Sequence, residues 1–188
     1  MSGNFFLSCD WGTSSFRLRL VNREQPLVIE QVTSPYGIAT AYKEWKQQGT
    51  SREEFYLRYL QDQIDLLSER TTTALHGVPV VISGMACSSI GIKELAYAPL
   101  PFSIEGEDAL IQQLQTGSLF PNPYWLISGA SNGRDVMRGE ETQMVGLAAL
   151  AAEKQDETII YIFPGTHSKH IKVSGAKMID FKTYMTGE

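Results

Sequence analysis

Apolar and polar positions alternate with period two over Phe16-Arg17-Leu18-Arg19-Leu20, the mark of a half-buried strand. The apolar run Phe5-Phe6-Leu7-Ser8-Cys9 precedes it and stops at Asp10-Trp11-Gly12-Thr13-Ser14-Ser15, so the two runs read as a β-hairpin. Asn22 to Pro26 supplies turn residues, and Leu27 to Thr33 gives a third strand closed by Ser34-Pro35. The first unit is therefore an antiparallel meander. Ser51 followed by Glu54 is a capping box, and Leu57, Leu60, Ile64 and Leu67 recur at helical spacing. One face of a helix from about 51 to 70 should pack on a sheet. Val78-Pro79-Val80-Val81-Ile82 has no alternation, as expected for a parallel strand covered on both faces, and ends in Ser83-Gly84-Met85.

Further on, Asp108 to Leu114 reads as a short helix and Tyr124 to Ser128 as a strand that again ends in Ser-Gly. A polar loop follows from Gly129 to Gly139. Glu140 to Ala152 then carries Met144, Val145, Ala148 and Ala151 on one helical stripe, with two acids in the first turn that complement the helix dipole. After the charged stretch Glu153 to Glu157 the chain begins again. A strand from Thr158 to Phe163, a polar turn from Pro164 to Lys169, a strand from Ile171 to Ser174 and a segment from Lys177 to Thr183 repeat the opening meander in architecture. The expected fold is α/β: a first domain over 1–153 with a mixed five-stranded sheet, and over 154–188 the first meander of a second, incomplete domain. Strands without covering helices leave an open sheet edge, so self-association is expected.

Composition narrows the function. Of 188 residues, 43% are hydrophobic and 20% charged, enough for a real core. Sixteen basic against 21 acidic side chains give a net charge of −5, and no basic cluster exceeds two residues, so there is no footprint for nucleic acid. No apolar run reaches the roughly 18–20 residues that cross a bilayer, and no basic region precedes the first apolar stretch as in a signal peptide. No membrane partner and a cytoplasmic location are expected. Cys9 and Cys87 form no CxxC pattern and read as small buried hydrophobes. His167 and His170 lack a third ligand for zinc, and His76 suggests no role. Trp45 and Trp125 read as packing residues. Arg17 and Arg19 fall on a solvated strand face.

The chemistry gathers at two hydroxyl- and glycine-rich turns, one opening each half. No GxxxxGK[ST] or GxGxxG string occurs, which argues against P-loop and Rossmann enzymes. In Asp10-Trp11-Gly12-Thr13-Ser14-Ser15 there is a carboxylate for hydrated Mg²⁺, a glycine that lets backbone N–H groups approach phosphate, and hydroxyl donors. Trp11 either walls such a site or packs. Pro164-Gly165-Thr166-His167-Ser168-Lys169 offers the same donors and one cation. As a pair, the turns read as phosphate-gripping loops facing one cleft. Strand ends at Ser83-Gly84-Met85-Ala86-Cys87-Ser88-Ser89 and Ser128-Gly129 should open on it too, making Ser88, Ser89 and Lys93 candidate sugar contacts.

With Asp10-Trp11-Gly12-Thr13, Ser83-Gly84-Met85, Val136-Met137-Arg138-Gly139-Glu140-Glu141-Thr142-Gln143, Pro164 to Lys169 and Tyr184-Met185-Thr186-Gly187-Glu188, the chain resembles the 2-dehydro-3-deoxygalactonokinase family along its whole length. The resemblance implies an actin/hexokinase/Hsp70-like fold of two ribonuclease-H-like lobes. It also implies ATP- and Mg²⁺-dependent phosphorylation of the 6-hydroxyl of 2-dehydro-3-deoxy-D-galactonate, in galactonate breakdown. It places Asp10 near Mg²⁺, Thr13 and Ser14 near the phosphates, and Gly165, Thr166, Ser168 and Lys169 in the second phosphate loop. Glu140 and Glu141 are both candidate bases, because related sugar kinases carry a carboxylate at the start of that helix. Arg138 beside them suits the carboxylate of a sugar acid. His170 stands where the family commonly has an aromatic residue. The family continues past the closing string into a portion that supplies most of the adenine and ribose pocket, so turnover by this length of chain alone is not expected. The alternative expectation is an inactive remnant that binds a sugar acid or phosphate without transferring anything.

Overall fold

The computed structural model describes residues 4–117, 120–150 and 157–186. Ala151 and Ala152 of the expected helix, Glu153 to Asp156 of the charged stretch, and Gly187 and Glu188 of the closing string lie outside the described residues. The chain falls into two compact units: residues up to Leu95 with Ile111–Ile127, and Ala96–Leu110 with Ser128 onward.

In the first unit, β1 (Phe5–Trp11), β2 (Phe16–Asn22) and β3 (Leu27–Ser34) form the expected antiparallel meander. β4 (Val80–Gly84) and β8 (Tyr124–Ile127) add in parallel to β1, and with β7 (Ile111–Gln113) at the edge the order is β3-β2-β1-β4-β8-β7. Alternation decides the inward face: Leu7, Cys9 and Trp11 of β1 and Phe16, Leu18 and Leu20 of β2 are buried. They share a core with Tyr56, Leu57, Leu60, Ile64 and Leu67 of α2 (Arg52–Ser68). The Ser51 hydroxyl caps that helix by accepting the Glu54 N–H at 3.2 Å, as the capping box requires. Trp11 is fully buried against Phe16, Tyr56 and Tyr59, and its indole N–H donates to the Tyr36 carbonyl, so it packs and does not wall a site. Cys9 and Cys87 are buried. Trp45 is half-buried beside Tyr42, whereas Trp125, expected to pack, stands exposed.

Two elements depart from expectation here. A short helix, α1 (Ile38–Trp45), follows the meander. The helix expected at Asp108–Leu114 is instead the strand β7 (Ile111–Gln113), antiparallel to β8, and it makes the sheet six-stranded. Leu110 and Ile111 are exposed while Leu114 alone of the three is buried, so no apolar helical face exists to be covered. Pairing with the edge of β8 satisfies the backbone instead.

The second unit holds β5 (Ala98–Pro99), β6 (Phe102–Ser103), β9 (Ala130–Ser131), β10 (Val136–Met137), α3 (Glu140–Leu150) and the meander β11 (Ile159–Phe163), β12 (His167–Ser174) and β13 (Lys177–Met185). The orders are β10-β9-β5 and β11-β12-β13-β6. The loop expected over Gly129–Gly139 thus contains a small hairpin, and β12 begins at His167 rather than Ile171, drawing Ser168 and Lys169 into the strand. Residues 96–110 and 128–150, expected in the first domain, cluster with the meander. The reason is burial: Met137 and Met144 share one core with Ile171, Met178 and Phe181, and Val145 and Ala148 pack against it. Asn132 Nδ2 also donates to the Phe181 carbonyl and to Asp180.

Candidate active site

In the first unit the candidate residues collect at the end of β1. Asp10 is half-buried, and its Oδ2 accepts from Arg17 Nη1 at 3.2 Å across the β1–β2 register. Arg17, read as solvated, is therefore an ion-pair partner, although a pair this exposed stabilises little. On the other side β4 brings Ser83 opposite Asp10 and Gly84 opposite Trp11. Gly84 has φ +89°, a conformation L side chains rarely adopt, and a Cβ there would come within 2.9 Å of the Trp11 carbonyl and 3.4 Å of Asp10 Oδ1. The missing side chain thus keeps space beside the carboxylate oxygen that Arg17 does not hold.

Thr13, Ser14 and Ser15 are exposed in the turn that follows. Its backbone is fixed from below: Gly12 N–H donates to the Ser15 carbonyl, and the first N–H groups of α1 at Ile38 and Ala39 donate to the carbonyls of Gly12 and Thr13. Gly37 makes this approach possible, since a Cβ on it would lie 2.2 Å from the Thr13 carbonyl oxygen and 2.4 Å from Ser14 backbone atoms. Met85–Cys87 is a single tight helical turn after β4. Ser88 is buried and its hydroxyl donates to the Met85 carbonyl at 2.7 Å, which closes that turn. Ser89 is exposed, with its carbonyl accepting from Arg52 at 2.6 Å, and Lys93 is half-exposed.

In the second unit, the start of α3 separates the two acids. Both reach back to N–H groups before the helix. Glu140, half-buried, accepts the Arg138 N–H at 3.0 Å. Glu141 is 2% exposed, and both its oxygens meet the Gly139 N–H, at 2.9 and 2.8 Å, while one also accepts from the Thr142 hydroxyl. Arg138 lies over the Tyr97 ring with 4.7 Å to its centroid. In the second turn Gly165, Thr166 and His167 are exposed, and Thr186 ties the turn down through bonds to the Gly165 and Thr166 carbonyls. Ser168 and Lys169 are buried. Lys169 Nζ donates to the Val136 carbonyl at 2.7 Å and the Thr183 hydroxyl at 2.5 Å, with Asp135 at 3.9 Å. Burial would raise the Asp135 carboxyl, but hydrogen bonds from Thr183 and Val136, with Lys169 nearby, hold it below the usual range.

A family model described as 2-keto-3-deoxy-galactonokinase matches residues 10–188. The chain belongs to that family.

The 2-keto-3-deoxy-galactonokinase family assignment agrees with individual relatives; 2-keto and 2-dehydro name the same oxo group. The chain is 40% identical to the 2-dehydro-3-deoxygalactonokinase of Escherichia coli K12 over 116 residues, 58% of this chain and 35% of that one. It is 31% identical, over its whole length and 55% of the relative, to a Rhizobium meliloti protein named as the probable 2-dehydro-3-deoxygalactonokinase DgoK1. A crystal structure of a Sinorhizobium meliloti protein described as a 2-dehydro-3-deoxygalactonokinase aligns with a TM-score of 0.73 at 29% identity, covering 97% of this chain and 54% of that one. The chain spans about half the length of the relatives it matches end to end. A reductive activator for a corrinoid, iron-sulfur protein shares the fold alone, at 15% identity and a TM-score of 0.51. The fold is α/β with mixed sheets, and among the described residues no helix is long and apolar enough to cross a membrane.

Among the residues that carry the galactonokinase motifs, Asp10, Thr13, Ser14, Glu140, Gly165 and Thr166 keep access to solvent, while Ser168 is buried and Lys169 and Glu141 are turned to internal partners. Lys169 is a brace between β10 and β13, so the cation read into the second turn does not project from it. Gly37, Tyr97 and Asp135 were missed. Pro35-Tyr36-Gly37 was a turn signal that could have pointed to Gly37; Tyr97 and Asp135 carry none.

Burial pushes the Glu141 carboxyl up to about 7, against the Gly139 and own-backbone N–H bonds that lower it, with Glu140 raising it further. Because the folded value lies above that of an unfolded Glu, stability from this proton is fully present below about pH 4.3 and is lost as pH rises through 7. The urea midpoint should therefore fall from about pH 5 to about pH 8, and Glu141→Gln should flatten that fall. Parallel pH profiles for the two proteins would refute this coupling.

Proposed function

We propose that this chain carries the site of an ATP-dependent kinase that transfers a phosphoryl group to the 6-hydroxyl of 2-dehydro-3-deoxy-D-galactonate, on ribonuclease-H-like lobes of the actin type. The observation that carries the reading is the end of β1, where half-buried Asp10 has room beside Oδ1, kept by Gly84, next to an exposed hydroxyl turn. Mg²⁺ characteristically takes one or two carboxylates and fills its other positions with water and phosphate oxygens, so this donor set fits a hydrated ion. Asp10 would hold Mg²⁺, and Gly12, Thr13 and Ser14 would donate to phosphates. When bound, the ion neutralises charge developing on the transferred group.

The protein's own part is positioning and proton transfer. The substrate oxygen attacks the γ-phosphorus as the bridging bond breaks, and its proton passes to Glu140. Arg138 grips the sugar-acid carboxylate with parallel N–H donors. Gly165 and Thr166 offer further donors to an anion.

A chain carried to the length of its relatives should phosphorylate the sugar acid with MgATP, and Asp10→Ala should remove most of the rate. Full activity in Asp10→Ala rejects the metal assignment. Calorimetric binding of the sugar acid without any transfer would favour the remnant reading instead.

Self-association follows from an open edge. β11 ends its sheet and exposes Ile160 and Ile162 at 61% and 59%, a template for strand pairing. Sedimentation across a dilution series should show a reversible dimer that Ile162→Lys weakens. A wild-type monomer at every concentration would exclude it.

A further inference from the structure

Three residues far apart in the sequence meet at one end of the small sheet β10-β9-β5. Ala130 pairs with Ala98 on one side and with Met137 on the other. Tyr97, just before β5, Gly129, just before β9, and Arg138, just after β10, therefore stand side by side, and the Ala98 N–H donates to the Gly129 carbonyl at 2.9 Å. The Arg138 guanidinium carbon sits 4.7 Å from the Tyr97 ring centroid. Gly129 clears the space between them: a Cβ there would fall 2.2 Å from the Met137 carbonyl oxygen, 2.9 Å from Arg138 Cγ and 3.1 Å from Tyr97 Cε1.

We propose that Tyr97 is a positioning residue for the sugar acid, a ring platform that holds the Arg138 guanidinium in the plane in which it receives the substrate carboxylate. The inference rests on the reading of Arg138 given above. A guanidinium donates in its own plane, and an aromatic ring attracts it through its face. Contact with the ring face therefore orients the fork through the guanidinium's face rather than through its N–H donors. Such orientation reduces the freedom lost when the substrate binds, so it acts on substrate affinity and not on the phosphoryl-transfer step. The Tyr97 hydroxyl plays no part in this geometry, and only the ring is required.

The test uses a chain of the relatives' length with the sugar acid and MgATP. Tyr97→Leu should raise KM for the sugar acid about tenfold, leaving kcat and KM for ATP unchanged, while Tyr97→Phe should restore the wild-type KM. In an Arg138→Ala background, Tyr97→Leu should add nothing further. An unchanged KM in Tyr97→Leu, with KM raised in Arg138→Ala, overturns the brace and leaves the reading of Arg138 standing. An unchanged KM in Arg138→Ala overturns that reading and the brace with it. Should Tyr97→Leu fail to fold, the Arg138 side-chain protons of the wild type should still show ring-current shifts that vanish in the non-aromatic Tyr97→Met at a preserved melting temperature. Their absence in the wild type overturns the proposal.

Discussion

Glu140→Gln, in a chain of the relatives' length, is expected to lower kcat on the sugar acid by about 10²–10⁴-fold with little change in KM, whereas Glu141→Gln keeps most of the rate. The two acids are adjacent in sequence and both open α3, so nothing in the string Arg138-Gly139-Glu140-Glu141 separates them. Burial does. A carboxyl near 7 suits a general base energetically, and Glu141 has that value. At 2% exposure, with both oxygens directed at the Gly139 N–H, it is withdrawn from solvent. A base must first be within hydrogen-bond reach of the proton it takes, and half-buried Glu140 keeps the access to solvent that this requires. Steady-state kinetics on both variants decide the matter, and a Glu141→Gln enzyme that loses its rate while Glu140→Gln retains it would reverse the assignment.

Gly37→Ala should cost about 1–3 kcal/mol of stability and, on the proposed role of residues 12–14, raise KM for ATP, because a Cβ at 37 would enter the backbone of that turn. The contacts it would make, 2.2 Å to the Thr13 oxygen and 2.4 Å to Ser14 N and Cα, fall on atoms that cannot swing aside as a flexible side chain can. Residues 12–14 must shift, and the carbonyls of Gly12 and Thr13 hold the first N–H groups of α1. The matched control is Gly165→Ala in the other turn, where a Cβ meets nothing within 4 Å and stability should stay within about 0.5 kcal/mol. Urea unfolding and nucleotide kinetics measure both effects. Unaltered midpoint and KM in Gly37→Ala would mean that the turn tolerates displacement.

Much of the first unit was legible because its periods are strong. Phe16, Leu18 and Leu20 alternate inward, and Leu57, Leu60, Ile64 and Leu67 form a buried stripe behind a capping serine. α1 was not, since only Ile38 and Ala41 are buried in its two turns and so short a stripe has no visible period. β7, β9 and β10 are two or three residues long and exist through pairing, β7 with β8, β10 with β9 and β9 also with β5. Propensity cannot foresee such pairings. The site divides along the same line. Asp10, Thr13 and Ser14 could be singled out by residue type and spacing, while the withdrawal of Ser88 and Lys169 could not.

For this protein the linear order of side chains was sufficient to specify which strand positions face inward, where α2 begins and which motif-bearing residues mark the galactonokinase family. Those properties depend on neighbours within a few positions, through side-chain alternation, helical spacing and local capping. Folding in three dimensions decided which polar groups remain available. Lys169 meets Val136 from 33 positions away, Thr183 lies 48 positions from Asp135, and Arg138 meets Tyr97 through a third strand. A buried polar group takes whatever partner the packing brings to it, and those partners come from distant stretches of the chain.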